Sequence, residues 1–172
     1  AWPLCSPWRT TRWPIPASSR ACAVWRITDL DYLDAYLNAL AATLGLPALT
    51  LDAQGLRSIA LDQQHIIHLQ ADARAQEVVL YGVAGRLPPH GTGVAETLLR
   101  ANRFWRGTGG ATLSLDGNAP PRVILARRLS PVALTPAQFS DAFTGFVDQL
   151  HHWADELNAA APAKRPEMGH FA

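Results

Sequence analysis

LLRANRFWRGTGGATLSLDGNAPPRVILARRL, residues 98–129, carries most of the information about the fold. Its first residues close a helix that starts near Gly93. Glu96 stands at the third helical position, and Val94, Leu98, Ala101 and Trp105 fall along one face. The glycine-rich RGTGG (106–110) ends that helix. ATLSL and RVILARRL then flank a DGN turn at Asp116–Asn118. Asp-Gly between two apolar runs is a strong hairpin signal.

On the upstream side, LRSIAL (56–61), HIIHLQA (65–71) and EVVLYGVA (77–84) are β-rich runs with short polar links, which predicts an antiparallel meander. Before them, Leu30, Leu33, Leu37, Leu40 and Leu44 recur at helical spacing. Thr28 with Asp31 opens this helix like a capping box, and Gly45 with Pro47 ends it. Its apolar arc is wide, with Tyr32 and Tyr36 on one flank and Ala41 on the other. Downstream, Thr135, Pro136 and Gln138 read as N-cap, N1 and N3 of a third helix. Its apolar stripe is Phe139, Phe143, Phe146, Leu150, Trp153 and Leu157. The order α-β-β-β-α-β-β-α predicts an α+β fold, a twisted antiparallel sheet with helices packed on it.

The whole chain has 172 residues, 48% of them hydrophobic and 17% charged, enough for one core. No stretch has the roughly 18 uncharged apolar residues of a membrane span. Formal net charge is only +1, which does not indicate nucleic-acid binding. The two cysteines, Cys5 and Cys22, exclude a disulfide-dense scaffold and a four-cysteine zinc site. The charge is unevenly spread: residues 1–27 carry four arginines and no acid, whereas 28–158 carry 13 acids against 9 arginines. That division predicts an irregular Trp/Pro/Arg leader (1–27) outside the fold, an acidic body (28–158) and a flexible tail (159–172). The leader reads either as an upstream extension foreign to the fold or as an arm for acidic surfaces.

Catalytic chemistry is not indicated. His65 and His68, at odd spacing on a strand, point to opposite faces, and His151 and His152 diverge on a helix, so neither pair alone chelates a metal. RGTGGA lacks the Lys-Ser/Thr of a phosphate loop and follows a helix instead of opening one. No G-x-S-x-G is present. Asp148, Asp155 and Glu156 read as a solvated acidic face, with a small carboxylate enzyme as the competing reading. No cofactor and no metal site are expected.

At 98–129 the chain resembles the class I type III secretion chaperones, the Tir chaperone (CesT) and SycE-like group. The shared pattern is a helix ending in Leu-Leu-x-x-Asn, a short glycine-containing link, a small residue and a hairpin with a Leu-rich last strand. LDAQGLRSIALDQQHIIHL (51–69) fits a strand–turn–strand pattern of the same group, and the resemblance spans about 28–158. It implies a cytoplasmic bacterial homodimer without enzymatic activity. Such a dimer binds the N-terminal region of a secreted effector in extended form, keeps it soluble and export-competent, and has the secretion-apparatus ATPase as a further partner. The alternative is a YbjN-like structural or regulatory protein of similar fold.

Two surfaces are expected on this reading. The first helix and first strand offer Tyr32, Leu33, Tyr36, Leu40, Ile59 and Leu61 to an effector, because the helix's apolar arc exceeds one sheet face and the first strand of a meander has an open edge. The second helix is apolar on two faces. It places Val94, Leu98, Leu99, Asn102 and Trp105 at a dimer interface.

Overall fold

The computed structural model describes residues 31–61, 64–88 and 92–160. The leader, the Thr28 cap and the closing run after 160 lie outside the described residues. The elements follow the expected order. They are α1 (Asp34–Leu44), β1 (Leu56–Ala60), β2 (Ile66–Asp72), β3 (Glu77–Arg86), α2 (Thr92–Ala101), β4 (Thr112–Leu115), β5 (Arg122–Leu129) and α3 (Pro136–Ala160). A 3₁₀ turn, Asp31–Leu33, leads into α1.

Capping chemistry sets the helix limits. α1 ends at Gly45, whose left-handed φ of 67° suits a residue without Cβ. α3 opens with a reciprocal capping box. The Gln138 N–H donates to Thr135 Oγ1 at 3.2 Å, and the Thr135 N–H donates to Gln138 Oε1 at 2.9 Å.

The five strands form one antiparallel sheet in the order β1-β2-β3-β5-β4. Helix α3 lies against β3, and Gly82 makes this approach possible. A Cβ there would stand 3.0 Å from Leu150 Cδ2 and 3.2 Å from the Ile66 carbonyl oxygen. Leu33, Leu37 and Leu40 from the first helical segment, Phe139, Phe143, Phe146 and Leu150 from α3, and Ile67, Leu69, Leu80, Val123 and Leu125 from the sheet are all buried in one core. Each fully buried side chain of this size contributes about 1.5–3 kcal/mol by leaving water.

Two expectations need correction. The expected tight DGN turn is a longer link, residues 116–121. Pro120 and Pro121 have no N–H to extend the ladder, and Asp116 organises the link instead. Its carboxylate accepts from the Arg122 N–H at 2.8 Å and from Arg122 Nε at 2.5 Å. The second helix does not run on to Trp105. It ends at Ala101, and a 3₁₀ turn, Arg103–Trp105, follows with Phe104 and Trp105 at φ 56° and 54°. Left-handed backbone at two consecutive non-glycine residues throws Trp105 off the Val94–Leu98–Ala101 face.

Candidate binding surfaces

The sheet has two edges, and the residues beside them treat them differently. At β4, Asn102 occupies the edge at Leu113. Its Nδ2 donates to the Leu113 carbonyl at 2.9 Å and its Oδ1 accepts from the Leu113 N–H at 2.8 Å. The Trp105 indole N–H adds a bond to Thr112 Oγ1 at 3.3 Å. Asn102 therefore stands in for a neighbouring strand, and its amide is engaged within the protomer.

At β1 the outer side is open among the described residues. The Leu61 N–H donates to the His65 carbonyl at 3.0 Å, and the Ala71 N–H donates to the Gly55 carbonyl at 2.8 Å. Odd-numbered residues of this strand thus face β2, and antiparallel alternation turns the N–H and C=O of Ser58 and Ala60 outward. Leu56 also points outward, but its N–H goes to Asp52 Oδ1 at 2.9 Å and its carbonyl accepts from the Asp52 N–H at 2.9 Å.

The six side chains expected to line this region divide into groups. Leu33, Leu40 and Ile59 lie in the core at 1%, 0% and 7% exposure, beyond reach of a ligand on the surface of this protomer. Tyr36 is half-buried and acts as an anchor. Its hydroxyl donates to the carbonyls of Pro131 at 2.7 Å and Leu134 at 3.1 Å, and its ring meets Phe139 edge-on. The wide apolar arc of α1 is explained by its packing along α3 and by the hold of Tyr36 on the 131–134 turn. Tyr32 and Leu61 remain half-buried at the rim. Burial, and secondarily the Asp72 carboxylate, pushes the Tyr32 phenol up.

The expected interface residues of the second helix also diverge. Leu98 is buried and Val94 half-buried, whereas Leu99 is 72% and Trp105 57% exposed. Phe104, which the sequence reading missed, is exposed to 72%, and Leu115 on β4 is exposed as well. The sheet face away from α1 and α3 adds an apolar row. Val83 pairs with Ile124, and Ile66 lies beside Val83 on β2. Ile66 and Val83 are exposed. Next to this row His68 stacks on Tyr81 with centroids 4.8 Å apart, and its Nδ1 is 2.8 Å from Ser58 Oγ. The signal was present in EVVLYGVA, where Val79, Tyr81 and Val83 alternate with the core positions and make both faces apolar.

Asp148, Asp155 and Glu156 are exposed along α3, as a solvated face requires. Among the described residues no three His, Cys, Asp or Glu side chains gather as a metal site, and no helix is long and apolar enough to cross a membrane.

Comparison with known proteins fits this architecture. The chain is 28% identical over 116 residues to the Tir chaperone of Escherichia coli O157:H7, covering 67% of this chain and 73% of that protein. Its fold is similar to a chain of the ExsC–ExsE complex, with a TM-score of 0.62 at 23% identity over 73% of this chain and 92% of that one. It is similar to a chain of the HopA1–SchA chaperone–effector complex, with a TM-score of 0.61 at 18% identity over 76% and 98% of the two chains. YbjN from E. coli shares the fold more weakly, with a TM-score of 0.54 at 15% identity over 70% and 87%. The family model of the Tir chaperone protein (CesT) family matches residues 35–154, most of the chain, and the chain belongs to that family.

Proposed function

We propose that this protein is a type III secretion chaperone. It binds the N-terminal segment of a secreted effector in extended form and keeps it soluble and fit for export. The observation that carries this reading is the asymmetry of the sheet edges. Asn102 occupies the β4 edge at Leu113, while β1 presents the N–H and C=O of Ser58 and Ala60 outward. An extended ligand completes such an edge by strand addition. Tyr32 and Leu61, half-buried at the rim, supply apolar contact beside it. Tyr36, Leu33, Leu40 and Ile59 serve the surface from beneath by holding α1 and β1 in place.

The same reading makes the working unit a cytoplasmic homodimer that binds and does not catalyse. Its interface takes in Leu99, Trp105 and Phe104, with Val94, Leu98 and Asn102 supporting them from within the protomer. Large apolar side chains this exposed favour a partner surface. Positive φ at both aromatics costs of the order of 1–3 kcal/mol each and aims them outward. Docking to the export ATPase would follow effector loading. Residues 1–27 are accessory to this body, as is the expected tail, which begins after Ala160 instead of at 159 because α3 takes in Ala159 and Ala160.

Co-expression with the reading frames beside this gene tests the function. A soluble complex that survives gel filtration and is lost when the partner's N-terminal region is deleted is the expected result. Binding to a folded globular domain instead, with no dependence on that region, would refute it and favour the YbjN-like alternative.

A further inference from the structure

Arg57 is the one charged side chain of β1. It pairs in register with Leu69, and Ile59 pairs with Ile67. Both partners are fully buried, so Arg57 and Ile59 stand on the face of the sheet that carries the core. Arg57 itself is exposed, so its end of the strand is uncovered on that face. Ion pairs engage Arg100, Arg122 and Arg128, whereas no carboxylate among the described residues pairs with Arg57. Asp52, close by in sequence, accepts from the Gln54 and Leu56 N–H groups instead. Leu61 continues the alternation on the same face as Arg57 and is half-buried.

We propose that Arg57 selects an acidic side chain in the extended segment that the β1 edge takes up, four positions from an apolar side chain that rests beside Leu61. The inference depends on strand addition at β1 and names what that edge discriminates. Side chains of an added strand alternate between faces, so those beside Arg57 and Leu61 share one face in either strand direction. Side chains directly opposite one another across two strands are in contact, and opposite charges there stabilise the pair. The planar guanidinium also matches a carboxylate with two parallel N–H···O bonds. The inner side of Arg57 meets only Leu69, so a carboxylate has to arrive from the open side. The other face of the strand offers no comparable contrast. Ser58 Oγ already lies 2.8 Å from His68 Nδ1, and Ala60 presents a methyl group. Backbone groups alone accept any extended chain, and Arg57 adds the preference.

Selection of displayed random peptides, long enough to cover the strand, on the full-length protein reads that preference directly. The parent should enrich Asp or Glu four positions from a large apolar residue. Arg57→Glu should enrich Lys or Arg at that place and keep the apolar residue. An acidic peptide selected on the parent should bind Arg57→Glu ~2- to ~30-fold more weakly, as attraction across the pair turns to repulsion. Thermal unfolding should be unchanged in this variant, because Arg57 is exposed. Ala60→Pro, which removes an edge N–H, should enrich neither pattern. The same acid enriched on Arg57→Glu, or no charge preference on the parent, overturns the role of Arg57; loss of the peptides in Ala60→Pro would then leave strand addition standing. Peptides enriched equally on the parent and on Ala60→Pro overturn strand addition and the inference with it, as does the absence of any enrichment on the parent.

Discussion

Ala60→Pro separates strand addition at β1 from any binding mode that uses side chains alone. Ala60 is exposed, and its N–H points away from β2, so proline there removes no ladder bond of the protomer. Ile59, the preceding residue, is already extended, as a residue before proline must be. The fold should therefore lose little. The open edge offers an extended ligand two N–H donors and two acceptors, those of Ser58 and Ala60, because Asp52 occupies Leu56. Loss of one donor, with the ligand carbonyl opposite it left unpaired, costs about 1–3 kcal/mol. That is a ~5- to ~150-fold weaker dissociation constant. Isothermal titration with the effector's N-terminal segment measures the loss, and thermal unfolding of the same samples checks the fold. Ala60→Val keeps the N–H and should bind like the parent. Full affinity in a folded Ala60→Pro protein would refute strand addition at this edge.

Leu99→Asp combined with Phe104→Ser should weaken self-association at least tenfold, seen as monomer by light scattering at tens of micromolar, since both side chains are largely exposed on the protomer; an unchanged dimer would move the interface elsewhere. Asn102→Ala leaves the Leu113 N–H and C=O without their partner and should lower the unfolding free energy by about 1–3 kcal/mol in a urea titration. The Arg122 backbone N–H first, then its guanidinium, hold the Asp116 carboxyl well below the usual carboxylate range. A depressed folded-state pKa adds stability that is complete above the unfolded value of 3.8 and is lost as pH falls below it. Urea midpoints measured between neutral pH and about pH 2 should therefore fall less steeply in Asp116→Asn than in the parent. Deleting residues 1–27 should change the urea-derived stability by less than about 1 kcal/mol, an ordinary point-mutant effect; a larger loss would show that the leader packs on the body.

Element order and most boundaries were legible in the chain because they rest on local chemistry. The Thr135–Gln138 capping box, Gly45 after α1 and the β-rich runs act within a few residues of themselves, and the structure has each of them. The resemblance at 98–129 drew on the same local pattern of helix end, link and hairpin. Which face of an element is covered depends on what arrives from elsewhere in the chain, and there only tertiary structure decides. α1 presents a wide apolar arc in the sequence, and periodicity cannot tell a ligand-facing flank from one packed on a second helix; Tyr36 proved to be bound to the 131–134 turn. Trp105 continues the helical spacing of Leu98 and Ala101, yet Asn102 reaches across to Leu113 and the chain leaves the helix. The open β1 edge and the β4 edge occupied at Leu113 are likewise products of strand order. Meander pattern shows that strands exist, but a side chain 11 positions away from Leu113 determines which edge is free to bind.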